Sequence, residues 1–145
     1  MKQCGDQPVM QSRREIMFKF ILVLSMVALS PSAEAEWMNI YSDENFSIFA
    51  DTSSISKEGN MATMRSMYDF KVPPAIITDK QAQSETWQKE FDCQTKKFRP
   101  LHMALFLENM GKGTAFRVND EIGSWTPIQV ASLNEIKWKI ACGMK

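Results

Sequence analysis

Apolar and polar side chains alternate at every second position in six segments of the chain. These segments are 37–41, 46–50, 61–72, 84–94, 98–107 and 114–118. Because successive side chains of a strand point to opposite faces, this alternation is typical of strands in a sheet with one buried face. Short connections rich in Asp, Asn, Gly and Lys favour antiparallel neighbours. Two intervening stretches are predicted differently: 51–55 as a tight turn or one helical turn, and 75–83 as a surface loop.

The period changes to that of a helix near residue 132, after an irregular stretch at 123–127. Ser132 and Glu135 match the S-x-x-E capping box that opens many helices. The apolar stripe at helical spacing consists of Leu133, Ile136, Ile140 and Ala141. Gly143 suits the end of the helix, which is predicted over 132–142. A helix this short is marginal alone in water, so it is expected to pack on the sheet through the stripe, with Trp138 flanking the contact or exposed.

The pattern as a whole predicts an α+β fold. About six antiparallel strands form the sheet, and the C-terminal helix packs on one of its faces. The chain has room for one core only, since residues 36–145 are a usual length for a single domain.

The first 35 residues have the three regions of a secretory signal peptide. Arg13, Arg14 and Lys19 precede an apolar run at 20–29, and the pattern ends in an A-x-A motif at Ala35, which predicts cleavage between Ala35 and Glu36. The run is about half of the roughly 20 residues that span a bilayer, so no transmembrane helix is expected after cleavage. Met17 offers an alternative start, which would make residues 1–16 a start-site artefact. The protein is expected to be exported, to the periplasm, the cell surface or the medium, by the general or the twin-arginine route.

Charge and composition exclude one class of partner. The chain carries 17 basic and 17 acidic side chains, of which four and three lie in residues 1–35, leaving 13 and 14. A nucleic-acid-binding protein usually shows a strong basic excess, so no nucleic-acid partner is expected. The hydrophobic fraction of 44% is typical of a folded globular chain.

Two cysteines remain once the signal is removed. An even number of cysteines in an exported chain favours a disulfide between Cys93 and Cys142, which would tether the helix to the sheet. A reactive thiol pair and a metal site are the alternatives, although neither cysteine lies in a C-x-x-C motif. In the chain-entropy model, closing a loop of this length would stabilise the folded protein by roughly 4 kcal/mol.

Few residues are candidates for chemistry. His102 is the single histidine and is a candidate haem or metal ligand or general base. The alternative is that it is an ordinary packed or surface residue of a strand. Met61, Met64 and Met67 could offer soft sulfur ligands to copper(I) if they shared a face, but on a strand Met64 points away from the other two. Neither reading is strong enough to predict a metal or a cofactor. With one histidine and no nucleophile motif, the chain is expected not to be an enzyme.

Short motifs along the predicted domain resemble one family. They are Glu36-Trp37, Asp51-Thr52-Ser53-Ser54-Ile55, Gly59-Asn60, Tyr68-Asp69-Phe70, Glu90-Phe91-Asp92-Cys93, Met110-Gly111-Lys112-Gly113, Trp125-Thr126-Pro127-Ile128 and Ile136-Lys137-Trp138-Lys139-Ile140-Ala141-Cys142. In this order and spacing they resemble the surface-adhesin protein E-like family of small exported bacterial proteins. The resemblance implies a six-stranded antiparallel sheet and a C-terminal helix held to it by a disulfide.

The resemblance also implies a function of a general kind. An exported, non-enzymatic domain over 36–145 would mediate protein–protein contact or adhesion at the bacterial envelope, with host matrix proteins or envelope proteins as partners. The motif residues are mostly turn, core and disulfide residues, so they specify a fold and no particular partner. The alternative function is a periplasmic carrier of a small ligand or metal, such as haem or copper.

Overall fold

Six strands follow one another in sequence order across one antiparallel sheet. The computed structural model describes residues 36–74 and 80–144. The strands are β1 (Trp37–Ser42), β2 (Phe46–Glu58), β3 (Met61–Phe70), β4 (Ser84–Asp92), β5 (Lys97–Phe106) and β6 (Ala115–Asn119), and a two-residue β7 (Thr126–Pro127) pairs with the start of β5. A 3-10 helix (Asn109–Gly111) lies between β5 and β6, and one α-helix, α1 (Leu133–Cys142), follows β7. The predicted α+β fold is confirmed.

Some sequence-based predictions lie outside the described residues. These are the signal peptide at 1–35, including Ala35 of the predicted cleavage site, and residues 75–79 of the predicted loop. Within the described ranges, no helix is both long and apolar enough to cross a membrane.

The prediction of a turn at 51–55 is wrong, because β2 continues through this segment to Glu58. Pairing with β3 is interrupted between Asp51 and Ser56, and side chains replace the missing ladder bonds. The Ser54 hydroxyl accepts a hydrogen bond from the backbone N–H of Arg65 at 2.8 Å and donates one to the Asp51 carbonyl at 2.6 Å. A polar run that reads as a turn is therefore an irregular part of a strand.

The helix packs on one face of the sheet and forms the main core there. The buried residues of this core are Ala50, Ala62, Met64, Phe91, Ile128, Trp138 and Ala141. The capping prediction is confirmed: Ser132 Oγ accepts from the backbone N–H of Glu135, and Gly143 ends the helix in the left-handed conformation at φ 71°. The predicted disulfide is present between Cys93, just after β4, and Cys142, with their Cα atoms 5.7 Å apart.

The predicted packing stripe of the helix is only partly right. Ala141 is fully buried, but Ile136 is 37% exposed, and the helix instead faces the sheet with Lys137 and Trp138. The indole N–H of Trp138 donates to the Asp92 carbonyl at 3.1 Å, which fixes the rotation of the helix about its axis. Trp138 is therefore a core residue.

A bulge in β5 changes which side chains share a face. The pairing with β4 shifts between Gln88 and Lys89, so that Gln88 faces His102 while Lys89 faces Pro100. Leu101 is left without a partner at this point. The alternation of segment 98–107 predicts that Leu101 shares a face with Met103, and this prediction fails because one inserted residue reverses the alternation.

Candidate functional site

The sheet face opposite α1, here called the open face, carries a straight row of side chains across five strands. The strand pairings place Trp37 opposite Asp51, Asp51 opposite Arg65, Arg65 opposite Gln88, and Gln88 opposite His102. We call these five residues the cross-strand row. Because neighbouring strands lie about 4.8 Å apart, the row extends over roughly 19 Å.

A buried ion pair anchors one half of the cross-strand row. Asp51 is fully buried, and its two carboxylate oxygens accept from the Ser53 hydroxyl and from Arg65 Nη2, each at 2.5 Å. The Arg65 side chain is 52% exposed. Since a guanidinium has five N–H donors, most of those of Arg65 stay available at the surface while Asp51 holds its position.

A second polar pair, His102 with Asp120, closes the other end of the cross-strand row. His102 Nδ1 lies 2.5 Å from Asp120 Oδ1, and the Asp120 side chain is 78% exposed. Contact through Nδ1 leaves Nε2 of the same ring for other partners. Asp120 directly follows β6 in the sequence. The structure brings it to His102, and no sequence motif had indicated this pair.

The open face forms a groove of about 760 Å³ above Arg65, Gln88 and His102. Its walls are mainly apolar and consist of Trp37, Leu101, Phe106, Met110 and Ile122. Within the described part of the chain, the Gln88 amide makes no side-chain hydrogen bond. The groove thus combines apolar walls with a polar floor, as ligand and partner sites commonly do.

The 3-10 helix builds one end of the groove. The backbone N–H of Met110 donates to Asp69 Oδ1 at 2.6 Å, and that of Gly111 donates to Ser84 Oγ at 2.9 Å. A Cβ placed on Gly111 would lie 3.5 Å from Met67 Sδ, so the segment lies close against the sheet. Gly111 itself has a φ of 65°, which favours glycine.

The candidate methionine ligands do not converge. Met64 is buried in the core beneath α1, whereas Met67 is buried on the open face against the 3-10 helix. Met61 lies on the same face as Met67, but six residues along the same strand, which is roughly 20 Å. The three sulfur atoms therefore cannot bind one ion. Over residues 36–74 and 80–144, no three His, Cys, Asp or Glu side chains form a group that could hold a metal.

Two lysines are buried beneath α1, and the alternation of segment 84–94 points only to Lys89, which falls on the apolar face of that segment. The Lys137 ammonium is fully buried, donates to the Tyr68 hydroxyl at 3.0 Å and lies 4.3 Å from the centre of that ring. The Lys89 ammonium donates to Asn134 Oδ1 at 3.0 Å and lies 4.7 Å from the Phe98 ring. Neither forms an ion pair with a carboxylate of the described residues.

Burial and mutual repulsion perturb both lysines. Burial, followed by the nearby charge of Lys89, lowers the pKa of Lys137 to about 7, and Glu85 opposes the change. Burial also lowers the pKa of Lys89 to about 8, again opposed by Glu85. With Lys137 fully buried, this pair is a structural feature of the helix–sheet contact, and the open face remains the candidate binding site.

A family model describes most of the chain. The model of the surface-adhesin protein E family matches residues 37–143. The chain belongs to the surface-adhesin protein E family. No curated protein sequence matches the chain. Among solved structures, crystal form II of Haemophilus influenzae protein E is similar over 79% of this chain and 94% of its own, at 12% identity and a TM-score of 0.60.

A second solved structure agrees with this assignment. Protein E from non-typeable Haemophilus influenzae is similar over 79% of this chain and 82% of its own, at 12% identity and a TM-score of 0.58. At such low identity, the two similarities show that this member of the surface-adhesin protein E family shares their fold. The two similarities assign no binding residue to the open face.

Proposed function

We propose that this protein is an exported, non-enzymatic protein that mediates protein–protein contact or adhesion at the bacterial envelope through its open face. The observation that carries the proposal is membership of the surface-adhesin protein E family over residues 37–143. The proposed contact surface is the groove, which has apolar walls and a polar floor that includes Arg65, Gln88 and His102.

The residue types on the open face support contact with a protein. Aromatic side chains, methionine and arginine are enriched at protein interfaces. Trp37, Phe106 and Met110 line the groove together with Arg65. Further along the sheet, Trp125 is 37% exposed and lies over the guanidinium of Arg99 at 4.7 Å, which extends the surface of this character.

The arrangement of polar groups also favours binding over catalysis. A general base and a nucleophile have to lie within about 3 Å of each other or of the reacting atom. The pairs of the cross-strand row that lie this close join Asp51 to Arg65 and His102 to Asp120, and neither pairs a base with a hydroxyl or thiol nucleophile. The residues of the row follow one another at the strand spacing of about 4.8 Å. Such spacing suits several separate contacts to an extended partner.

Export is supported by two independent features. Residues 1–35 contain the charged, apolar and A-x-A regions of a signal peptide. The bond between Cys93 and Cys142 belongs to a class that persists in oxidising compartments such as the periplasm and the cell surface. We therefore place the protein in the periplasm or at the outer surface.

Expression of the full chain with a C-terminal tag tests export. We expect the protein in the envelope or medium fraction, with Glu36 as its first residue by N-terminal sequencing. An uncleaved product confined to the cytoplasm would refute export. A cleaved protein found in soluble periplasm alone would refute adhesion at the outer surface and leave contact with periplasmic proteins.

Capture of partners tests the proposed surface. The purified protein is used as bait for envelope extract and for matrix proteins, beside a Gln88→Trp variant that fills the groove floor. Ile136→Trp places the same ring on the outer side of α1 and serves as the matched control, since Ile136 is 37% exposed there. We expect Gln88→Trp to lose the captured protein and Ile136→Trp to retain it. Equal capture by both variants would refute the open face as the contact surface.

A small-ligand carrier is the second candidate, and one observation favours it. His102 is the single histidine and lines the groove, and its Nδ1 contact with Asp120 leaves Nε2 for a ligand such as haem iron. Titration with haemin should then give an absorbance change that His102→Ala removes. An unchanged spectrum in the original protein would exclude the haem version. The copper version has less support because Met64 lies on the other face.

A further inference from the structure

The two ends of the polar floor of the groove carry opposite charges. Arg65 presents its exposed guanidinium at one end, while the 78% exposed Asp120 carboxylate lies against His102 at the other. Gln88 lies between them and is paired in register with both Arg65 and His102. The groove floor therefore has a direction, which a partner could match with an acidic group at one end and a basic group at the other.

The distance between these ends has a counterpart in an extended chain. Arg65 and His102 are two strands apart, which is about 9.6 Å at the usual spacing of strands. Three residues of a segment in the polyproline II conformation make one full turn and cover about 9.3 Å, so residues i and i+3 point in the same direction. Such a segment lying along the cross-strand row would bring these two residues to its two ends. The two residues between them would point toward the sides of the groove, whose apolar walls include Leu101 and Ile122.

We propose that the groove binds a segment of a partner protein in the polyproline II conformation, in which an acidic and a basic residue stand three positions apart with apolar residues between them. The acidic side chain binds the free N–H groups of Arg65, and the basic side chain binds Asp120. The Gln88 amide, which can donate and accept, hydrogen-bonds to the backbone between them. This inference rests on the proposed contact function of the open face and specifies the chemistry of its partner.

The buried carboxylate explains why Arg65 would bind an anion without moving. Asp51 fixes Nη2 from below at 2.5 Å, so the remaining N–H groups are oriented before binding. Pre-oriented donors lose less conformational entropy when a partner binds. Asp51 is fully buried and cannot itself contact the partner. The acidic side chain that a partner can reach at the groove floor is therefore Asp120.

Capped tetrapeptides test the charge pattern directly. The probes are Glu-Leu-Leu-Lys, with controls Gln-Leu-Leu-Gln, Glu-Leu-Leu-Glu and Lys-Leu-Leu-Lys, added to the protein expressed from the full chain. Binding is followed by NMR shifts of the Arg65 Nε–H, the Gln88 side-chain amide and the Trp37 indole. Each exposed ion pair is worth a few-fold in affinity, so Glu-Leu-Leu-Lys should bind about tenfold tighter than the neutral control.

A change of specificity separates recognition from folding. Asp120→Lys should reverse the preference, so that Glu-Leu-Leu-Glu binds several-fold tighter than Glu-Leu-Leu-Lys. The matched control is Glu44→Lys, an exposed change of equal charge in the turn between β1 and β2, which should leave the original order unchanged. Both preferences should weaken as salt rises from 0.05 to 0.5 M.

Three results would overturn the inference. They are equal affinity for all four peptides, shifts confined to residues outside the groove, and an Asp120→Lys variant that keeps the original order. If a captured protein is still lost by Gln88→Trp in these cases, the contact function stands and only the proposed partner chemistry fails. If Gln88→Trp retains every captured protein while the peptides bind as expected, the groove binds such segments but the proposed contact function fails.

Discussion

Replacement of Lys137 by methionine is expected to stabilise the protein, and to do so most strongly at acidic pH. The ammonium is fully buried between α1 and the sheet, with the Tyr68 hydroxyl as its hydrogen-bond acceptor. The charged groups that act on it are Lys89, which repels it, and Glu85, which attracts it. Methionine has a similar length and no charge, so it fills the same space without the cost of burying an ammonium.

The magnitude follows from the pKa of Lys137. Burial lowers this pKa from 10.5 to about 7, a difference of roughly 3.5, and each pKa unit corresponds to about 1.4 kcal/mol. Below pH 7 the lysine is charged in both the folded and the unfolded chain, and its burial costs about 5 kcal/mol. Between pH 7 and 10.5 the unfolded chain binds more protons, so the stability of the original protein rises with pH. At pH 9 a cost of roughly 2 kcal/mol remains.

The advantage of Lys137→Met should therefore fall by about 3 kcal/mol between pH 6 and pH 9. Loss of the hydrogen bond to Tyr68 subtracts about 1 kcal/mol at both values and does not affect the difference. Urea unfolding at the two pH values, with the disulfide intact, measures both quantities. Trp138 packs in the core beside Lys137 and provides the fluorescence signal.

Lys139→Met is the matched control. Lys139 is exposed on the same helix, so its replacement should change the free energy of unfolding by no more than about 0.5 kcal/mol at either pH. An effect of Lys137→Met that is the same at pH 6 and pH 9 would refute the reasoning. So would a Lys139→Met variant with the same pH dependence as Lys137→Met.

Three further changes test other contacts of the fold. Replacing Cys93 and Cys142 together by serine should lower the free energy of unfolding by roughly 4 kcal/mol, and reduction of the original protein should have a similar effect in urea. Arg65→Ala leaves the buried Asp51 without its ion-pair partner and should lower the free energy of unfolding by about 3 kcal/mol. Adding Asp51→Asn should restore most of this loss. Equal stability of the single and double variants would contradict the reasoning. Ser132→Ala removes the helix cap and should cost about 1 kcal/mol, seen as a lower Tm, whereas Ser132→Asp should keep the original Tm.

The strands were predictable because the information for them is local. Alternation over five to ten residues places a strand and its faces, as in β3 and β4, and the capping box located the first turn of α1. The bulge near Leu101 was not predictable, since it depends on how β5 pairs with β4 and leaves no mark in the sequence of β5. A single inserted residue moved Leu101 to the face of His102 and changed the composition of the groove wall.

The rotation of α1 was also beyond local reasoning. An apolar stripe can be read from the helix alone, and it favoured Ile136 over Lys137. The contacts that set the rotation involve Tyr68, which lies 69 residues from Lys137, and Asp92, which lies 46 residues from Trp138. Tertiary hydrogen bonds of this kind override the local pattern.

The cross-strand row shows the same limit for the binding site. The alternation of segments 84–94 and 98–107 places Gln88 and His102 each on a polar face. The pairing of Arg65 with Gln88 and of Gln88 with His102 depends in addition on the register of two hairpins. The signal that could have found the row is the alternation of β3, β4 and β5 combined with the correct register. Asp120 follows β6 without a motif, and only the folded chain brings it to His102.

The order of the strands has a consequence for how the protein assembles. Each strand from β2 to β6 pairs with the strand that precedes it in sequence, so the sheet can grow by successive hairpins with short loop closures. The helix α1 instead returns from beyond β7 to lie on the central strands, and it needs their completed surface. The disulfide joins this late helix to a cysteine 49 residues earlier, beside β4. We therefore expect the two thiols to be oxidised after the helix has docked on the sheet. A reduced chain should retain its hairpins while the helix detaches and rebinds.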